Sequence, residues 1–183
     1  MMLITKKKSI VFFLLILHIY IDESISQCDV YENNIYQVTT QFPNYKPYYI
    51  FLTLLSNGIF NEETNISNGQ STAELGSHLV FGTRTGYYQC PNASYVHLTD
   101  FGYIFKNSEL SVFTNNGALI IQDYNLYFAP PNYTTCTGQL NAAFYPTGSD
   151  PFENQTQPIY SYPIRNLTCE LLSGRHYVWP PGT

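Results

Sequence analysis

The stretch Ala118-Leu119-Ile120-Ile121-Gln122-Asp123-Tyr124-Asn125-Leu126-Tyr127-Phe128 alternates in character. Ala118, Ile120, Gln122, Tyr124, Leu126 and Phe128 form one set. Leu119, Ile121, Asp123, Asn125 and Tyr127 form the other, which turns polar toward its centre. A period of two sends successive side chains to opposite faces of a strand, one dry and one wet. A helix would need apolar repeats at three and four, and the stretch has none. From Cys136 to Pro146 the split is cleaner: Cys136, Gly138, Leu140, Ala142 and Phe144 alternate with Thr137, Gln139, Asn141, Ala143 and Tyr145.

Outward from these two segments, further strands are expected at Tyr48–Ser56, His78–Gly82, Gly86–Cys90, Tyr95–Phe105, Leu110–Thr114 and Ile159–Leu172. All are rich in the aromatic and β-branched residues that suit a pleated, half-buried surface. Tyr48–Leu55 is apolar on both faces and fits a strand better than a short buried helix. Asn57-Gly58, Asn68-Gly69 and Asn116-Gly117 are Asn-Gly pairs, the preferred centre of a two-residue hairpin turn. Pro91-Asn92-Ala93-Ser94 reads as another turn, Pro130-Pro131-Asn132 as a strand stop, and Pro146–Pro158 as a long surface loop. The fold class is therefore all-β: an antiparallel meander closing into a small barrel of about eight strands, with a sandwich as the alternative.

The N-terminus carries an export signal. Lys6, Lys7 and Lys8 precede an apolar run from Ile10 to Ile21, interrupted only by His18 and Tyr20. As a helix this run is about 18 Å long, against a hydrocarbon core of about 30 Å. A basic start, a short apolar run and small residues at Ser24 and Ser26 describe a signal peptide, 1–26, cleaved after Ser26. The rest divides into an N-terminal extension over 27–47 tied by Cys28, a barrel over 48–175 and an irregular tail over 176–183.

Four cysteines, Cys28, Cys90, Cys136 and Cys169, follow the signal. An even count in an exported chain implies two disulfides, with three pairings open. A zinc site needs cysteines two to four residues apart, whereas the smallest spacing here is 33. Asn65, Asn92, Asn132, Asn154 and Asn166 each begin an Asn-x-Ser/Thr acceptor for N-glycosylation.

From Phe51 to Leu172 the order of features resembles the calycin-like and allene-oxide-cyclase-like small secreted β-barrels. The likeness lies in a strand running into a Gly turn (Leu54 to Phe60), the entry strand Gly82-Thr83-Arg84-Thr85-Gly86-Tyr87-Tyr88-Gln89-Cys90, and Asn116-Gly117-Ala118-Leu119-Ile120-Ile121 opening the later strands. It is one of layout. The Gly-x-Trp of lipocalins is missing, the single Trp being Trp179. The resemblance implies a barrel and a cavity, and it transfers no site residues.

Composition narrows function. Only 11% of residues are charged, while 17 Tyr and 12 Phe are present. Removing the signal leaves five cations against eleven anions, a balance that disfavours nucleic acid and anionic membrane surfaces. No Gly-x-Ser-x-Gly elbow, phosphate loop or cofactor motif occurs. His78, His97 and His176 lack the spacing of a metal site. Glu62-Glu63 reads as a solvated loop. Asp100 and Asp123 each interrupt an apolar strand; a carboxyl on the dry face would have its pKa raised, while alternation sends Asp123 to the wet face with Asn125. No catalytic set emerges.

The expectation is a secreted, disulfide-braced, N-glycosylated binding module. Its ligand would be small and apolar or carbohydrate-like, or an extracellular protein partner. Tyr103, Ile120, Tyr124, Phe128, Leu140 and Phe144 would line its pocket. A cyclase- or isomerase-like barrel enzyme and a structural extracellular protein are the alternatives.

Overall fold

The computed structural model describes residues 28–41, 47–65, 68–72, 76–105, 117–153 and 156–173. These form ten strands: β1 (Asn34–Thr40), β2 (Tyr48–Leu54), β3 (Ile59–Thr64), β4 (Asn68–Thr72), β5 (Gly76–Phe81), β6 (Arg84–Asn92), β7 (Tyr95–Phe105), β8 (Ala118–Phe128), β9 (Thr135–Pro146) and β10 (Tyr160–Leu171). All pairings are antiparallel. The ring runs β1-β2-β3-β6-β7-β8-β9-β10 and closes where β10 pairs with β1. The fold is thus a closed eight-stranded meander rather than a sandwich.

The two additional strands arise from a kink. β6 pairs with β7 from Tyr95 to Phe101, and β5 takes over the same flank at Ile104 and Phe105. Gly82 bridges them, its N–H donating to Tyr103 O at 2.8 Å. β4 pairs with β5 and lies outside the ring.

Turn chemistry follows the sequence at most corners. Asn57 and Gly58 both adopt positive φ, 65° and 73°, between β2 and β3, where Asn and Gly carry the least steric cost. Ala93-Ser94 turns β6 into β7, and Pro130-Pro131-Asn132 ends β8. Asn68-Gly69 instead opens β4 and makes no hairpin. The Leu110–Thr114 strand, Asn116, the signal peptide and the tail from residue 174 lie outside the described residues.

Two readings are corrected. The stretch 27–47, expected as an extension, contains β1, which is a full member of the ring. Only Tyr36 and Val38 mark its inner face with large apolar side chains, so its sequence signal is weak. Cys28 does tie this region down, to Cys90 at the end of β6. Glu62-Glu63, expected in a loop, lies in β3, with Glu62 facing inward and almost fully buried.

The second disulfide, Cys136–Cys169, links directly opposed positions of β9 and β10. Two disulfides are the mark of folding in an oxidising compartment. Among the described residues no helix is long and apolar enough to cross a membrane.

The interior is two apolar clusters, one toward each end. The first holds Val38, Ile50, Leu52, Leu98, Leu126, Phe128 and both disulfides' buried sulfurs. Tyr31 plugs this end: its ring lies 4.6 Å from that of Phe128, and its hydroxyl donates to Ala93 O in the β6–β7 turn. The second cluster holds Leu79, Phe81, Ile104, Ile120, Ala142 and Phe144. Asp100 falls between Leu98 and Ile104 on β7, and Gln122 between Ile120 and Tyr124 on β8, so the clusters meet at a polar layer.

Candidate functional site

The polar layer is built from inward-facing positions of five strands. Glu62 comes from β3, Arg84 from β6, Tyr48 from β2, Asp100 from β7, and Gln122 and Tyr124 from β8. All are buried. Glu62 and Arg84 are directly opposed in the β3–β6 ladder, and Arg84 Nη2 lies 2.6 Å from Glu62 Oε1. The Arg84 guanidinium also donates to Gln122 Oε1 and, at 3.0 Å, to the Tyr48 hydroxyl. The Tyr124 hydroxyl donates to Glu62 Oε2 at 2.5 Å. The guanidinium carbon sits 5.9 Å from the centre of the Phe81 ring, so one face of the cation meets an aromatic. Gly102 makes room for this arginine: a Cβ there would lie 2.3 Å from Arg84 Cγ.

Asp100 is wholly buried, and neither of its oxygens receives a hydrogen bond from a donor. It interacts with Glu62, a second carboxyl, which is paired with Arg84. Two carboxyl groups meeting in a dry interior are compatible only if one holds a proton. Burial first, then Glu62, push Asp100 well above the usual carboxylate range. Burial alone would lower the arginine, but Glu62 and the surrounding hydroxyls hold Arg84 well above its ordinary value. Burial and then Glu62 likewise raise Tyr124.

A cleft of about 240 Å³ opens at one mouth of the barrel above this layer. Phe51 and Phe81 flank it, Glu63 and Thr83 stand at its rim, and Glu62 and Arg84 form its floor. A larger groove of about 560 Å³ runs along the outer wall over β1, β10 and β9, bordered by Gln37, Thr39, Tyr127, Thr137, Thr168 and Glu170. The mouth cleft is the better site despite its size. It lies over a buried ion pair and between two rings, whereas the outer groove is bordered mainly by ordinary strand side chains.

The structure places Ile120, Tyr124, Phe128, Leu140 and Phe144 inside the barrel. None is more than 3% exposed and they pack as core, Phe128 also bordering the outer groove. Tyr103 is 49% exposed and lies on the outer face, apart from the other five. Asp123 faces outward, as alternation implied, accepting from Thr99 Oγ1 at 2.6 Å with His97 Nε2 at 3.8 Å. Among the described residues no group of three metal-ligating side chains assembles. His176 and Asn154 lie outside the described residues, and Asn65, Asn92, Asn132 and Asn166 are all exposed.

Sequence reasoning singled out Asp100 but missed Glu62 and Arg84 as interior groups. The available signal was parity: Phe60 and Glu62 alternate on β3 as Arg84, Gly86 and Tyr88 do on β6. Compared with known protein families, with curated proteins and with solved structures, the chain matches none.

Proposed function

We propose that this chain is an exported, N-glycosylated, disulfide-braced binding module that takes a small carbohydrate-like ligand in the mouth cleft. The observation that carries the reading is the cleft itself, in which two aromatic rings flank a floor made by a buried ion pair. A sugar ring offers a flat apolar face to Phe51 and Phe81, and its hydroxyls donate to Glu63 and accept from neighbouring hydroxyl groups. Packing of the five inward aromatic and aliphatic residues turns the ligand away from the core and toward the mouth. Two disulfides, four exposed acceptor asparagines and the N-terminal signal pattern support export.

A cyclase- or isomerase-like enzyme is the second reading, motivated by Asp100 as a raised-pKa carboxyl inside a barrel. Its complete enclosure favours binding over catalysis, because Asp100 does not border the mouth cleft.

Saturation-transfer NMR of the secreted protein against a panel of mono- and disaccharides tests the binding reading. Binding that disappears in Phe51→Ala while the fold is retained is the expected result. A panel with no binder, or binding indifferent to Phe51→Ala, would overturn it.

A further inference from the structure

The outer face of β6–β9 carries an apolar surface. Tyr87, Phe101, Tyr103, Phe105, Leu119 and Ile121 all point outward there. Cross-strand register makes them contiguous: Phe101 opposes Ile121, and Tyr103 opposes Leu119, which in turn opposes Tyr145. Tyr87 lies 6.2 Å from Phe101 and Tyr103 lies 6.4 Å from Phe105, ring centre to ring centre. Phe152, 72% exposed, leans on Phe101 at 6.0 Å. Among the described residues no charged side chain lies at the strand positions of this set; Asp123 and His97 follow lower on β8 and β7, and Asp150 and Glu153 flank Phe152 in the chain.

We propose that this face is the dimer interface of a second copy of the same chain. Area is the first argument. A buried Phe or Tyr removes roughly 150–250 Å² from water, and Tyr87, Tyr103 and Phe105 are each about half exposed. With Phe152 and the partly covered Leu119, Ile121 and Tyr145, the patch reaches on the order of 600 Å². That is the upper end of what a monomer shows, and most of the roughly 800 Å² each partner contributes to a stable complex.

The glycan acceptors are the second argument. Asn166 stands on β10, and Asn92 and Asn132 stand in the turns at the far end of β7 and β8. Tyr103 is eight residues up β7 from the Asn92 turn, about 26 Å at strand rise. Asn65 is held against the start of β2, donating to Pro47 O and accepting from Tyr49 N. Of the described acceptors, none projects from the apolar patch. Among the described residues, a face with no acceptor asparagine and no charge at its strand positions suits an isologous contact. A two-fold axis near Tyr103 lays the patch on itself, ring against ring, and opposes no like charges at the centre.

Sedimentation equilibrium of the secreted, glycosylated protein over a hundredfold range of concentration tests this. The expected result is a reversible dimer that Tyr103→Lys weakens at least tenfold. Ile164→Lys, on an exposed β10 residue away from the patch, leaves it intact. Phe105→Lys is the second patch variant, and circular dichroism confirms that each variant folds. A monomer at every concentration, or a dimer indifferent to both patch variants, overturns the proposal and leaves the face to a different partner.

Discussion

Glu62 and Arg84 stand opposite each other in the β3–β6 ladder and join as an ion pair inside the barrel, both almost completely shielded from water. A buried pair contributes little net stability over an apolar replacement, but breaking it strands a charge. Arg84→Met therefore costs about 3–5 kcal/mol in urea denaturation. The double variant Arg84→Met, Glu62→Leu recovers most of that loss. A double variant no better than the single would mean that the two groups do not neutralise each other.

Asp100→Asn tests the second carboxyl of the layer. The folded state raises this group, so it binds a proton more tightly than the unfolded chain does. Its contribution is complete below the unfolded value near about 4 and is lost as pH rises toward the folded value. The thermal midpoint of Asp100→Asn should gain on the native protein between acidic and neutral pH, by about 2–4 °C for each kcal/mol. A difference constant across that range would place Asp100 in contact with solvent.

Removing Cys136–Cys169 by double serine substitution should cost about 3–4 kcal/mol, since the bridge closes a loop of 33 residues. Peptide mapping without reductant should recover the pairs Cys28–Cys90 and Cys136–Cys169. Any other pairing contradicts the register of β9 against β10.

Gly102→Ala places a methyl 2.3 Å from Arg84 Cγ. The arginine stem must shift, which strains its contacts with Tyr48 and Gln122 as well as Glu62. The expected cost is about 1–3 kcal/mol by thermal unfolding. No change would show that Arg84 does not cross over Gly102.

Period-two alternation made the long strands legible. Tyr95–Phe105 and Ala118–Phe128 are expected and observed with the same bounds. Asp123 is outward, as alternation implied, and Asp100, whose face alternation left open, is inward. The weak strands were not legible. β1 buries only Tyr36 and Val38 as large apolar side chains, and β3 follows Phe60 with Glu62, a residue almost never buried unless paired. Its partner Arg84 lies 22 positions away, beyond any local pattern. The outer apolar face was hidden for the opposite reason. Alternation says which side chains share a face but not which faces meet water, and Tyr103 was placed in the pocket where the structure turns it outward. The mouth cleft needed β2, β3 and the β5–β6 kink brought together, which only the closed ring does.

Closure of that ring by β1 against β10 is the claim on which the polar layer and the mouth cleft both depend. Nuclear Overhauser contacts between the backbones of Val38 and Cys169, in isotopically labelled protein, measure it most directly. The structure pairs these two residues, so a strong cross-strand contact is predicted. Its absence, with fast amide exchange along Asn34–Thr40, would show an open sheet and contradict the barrel.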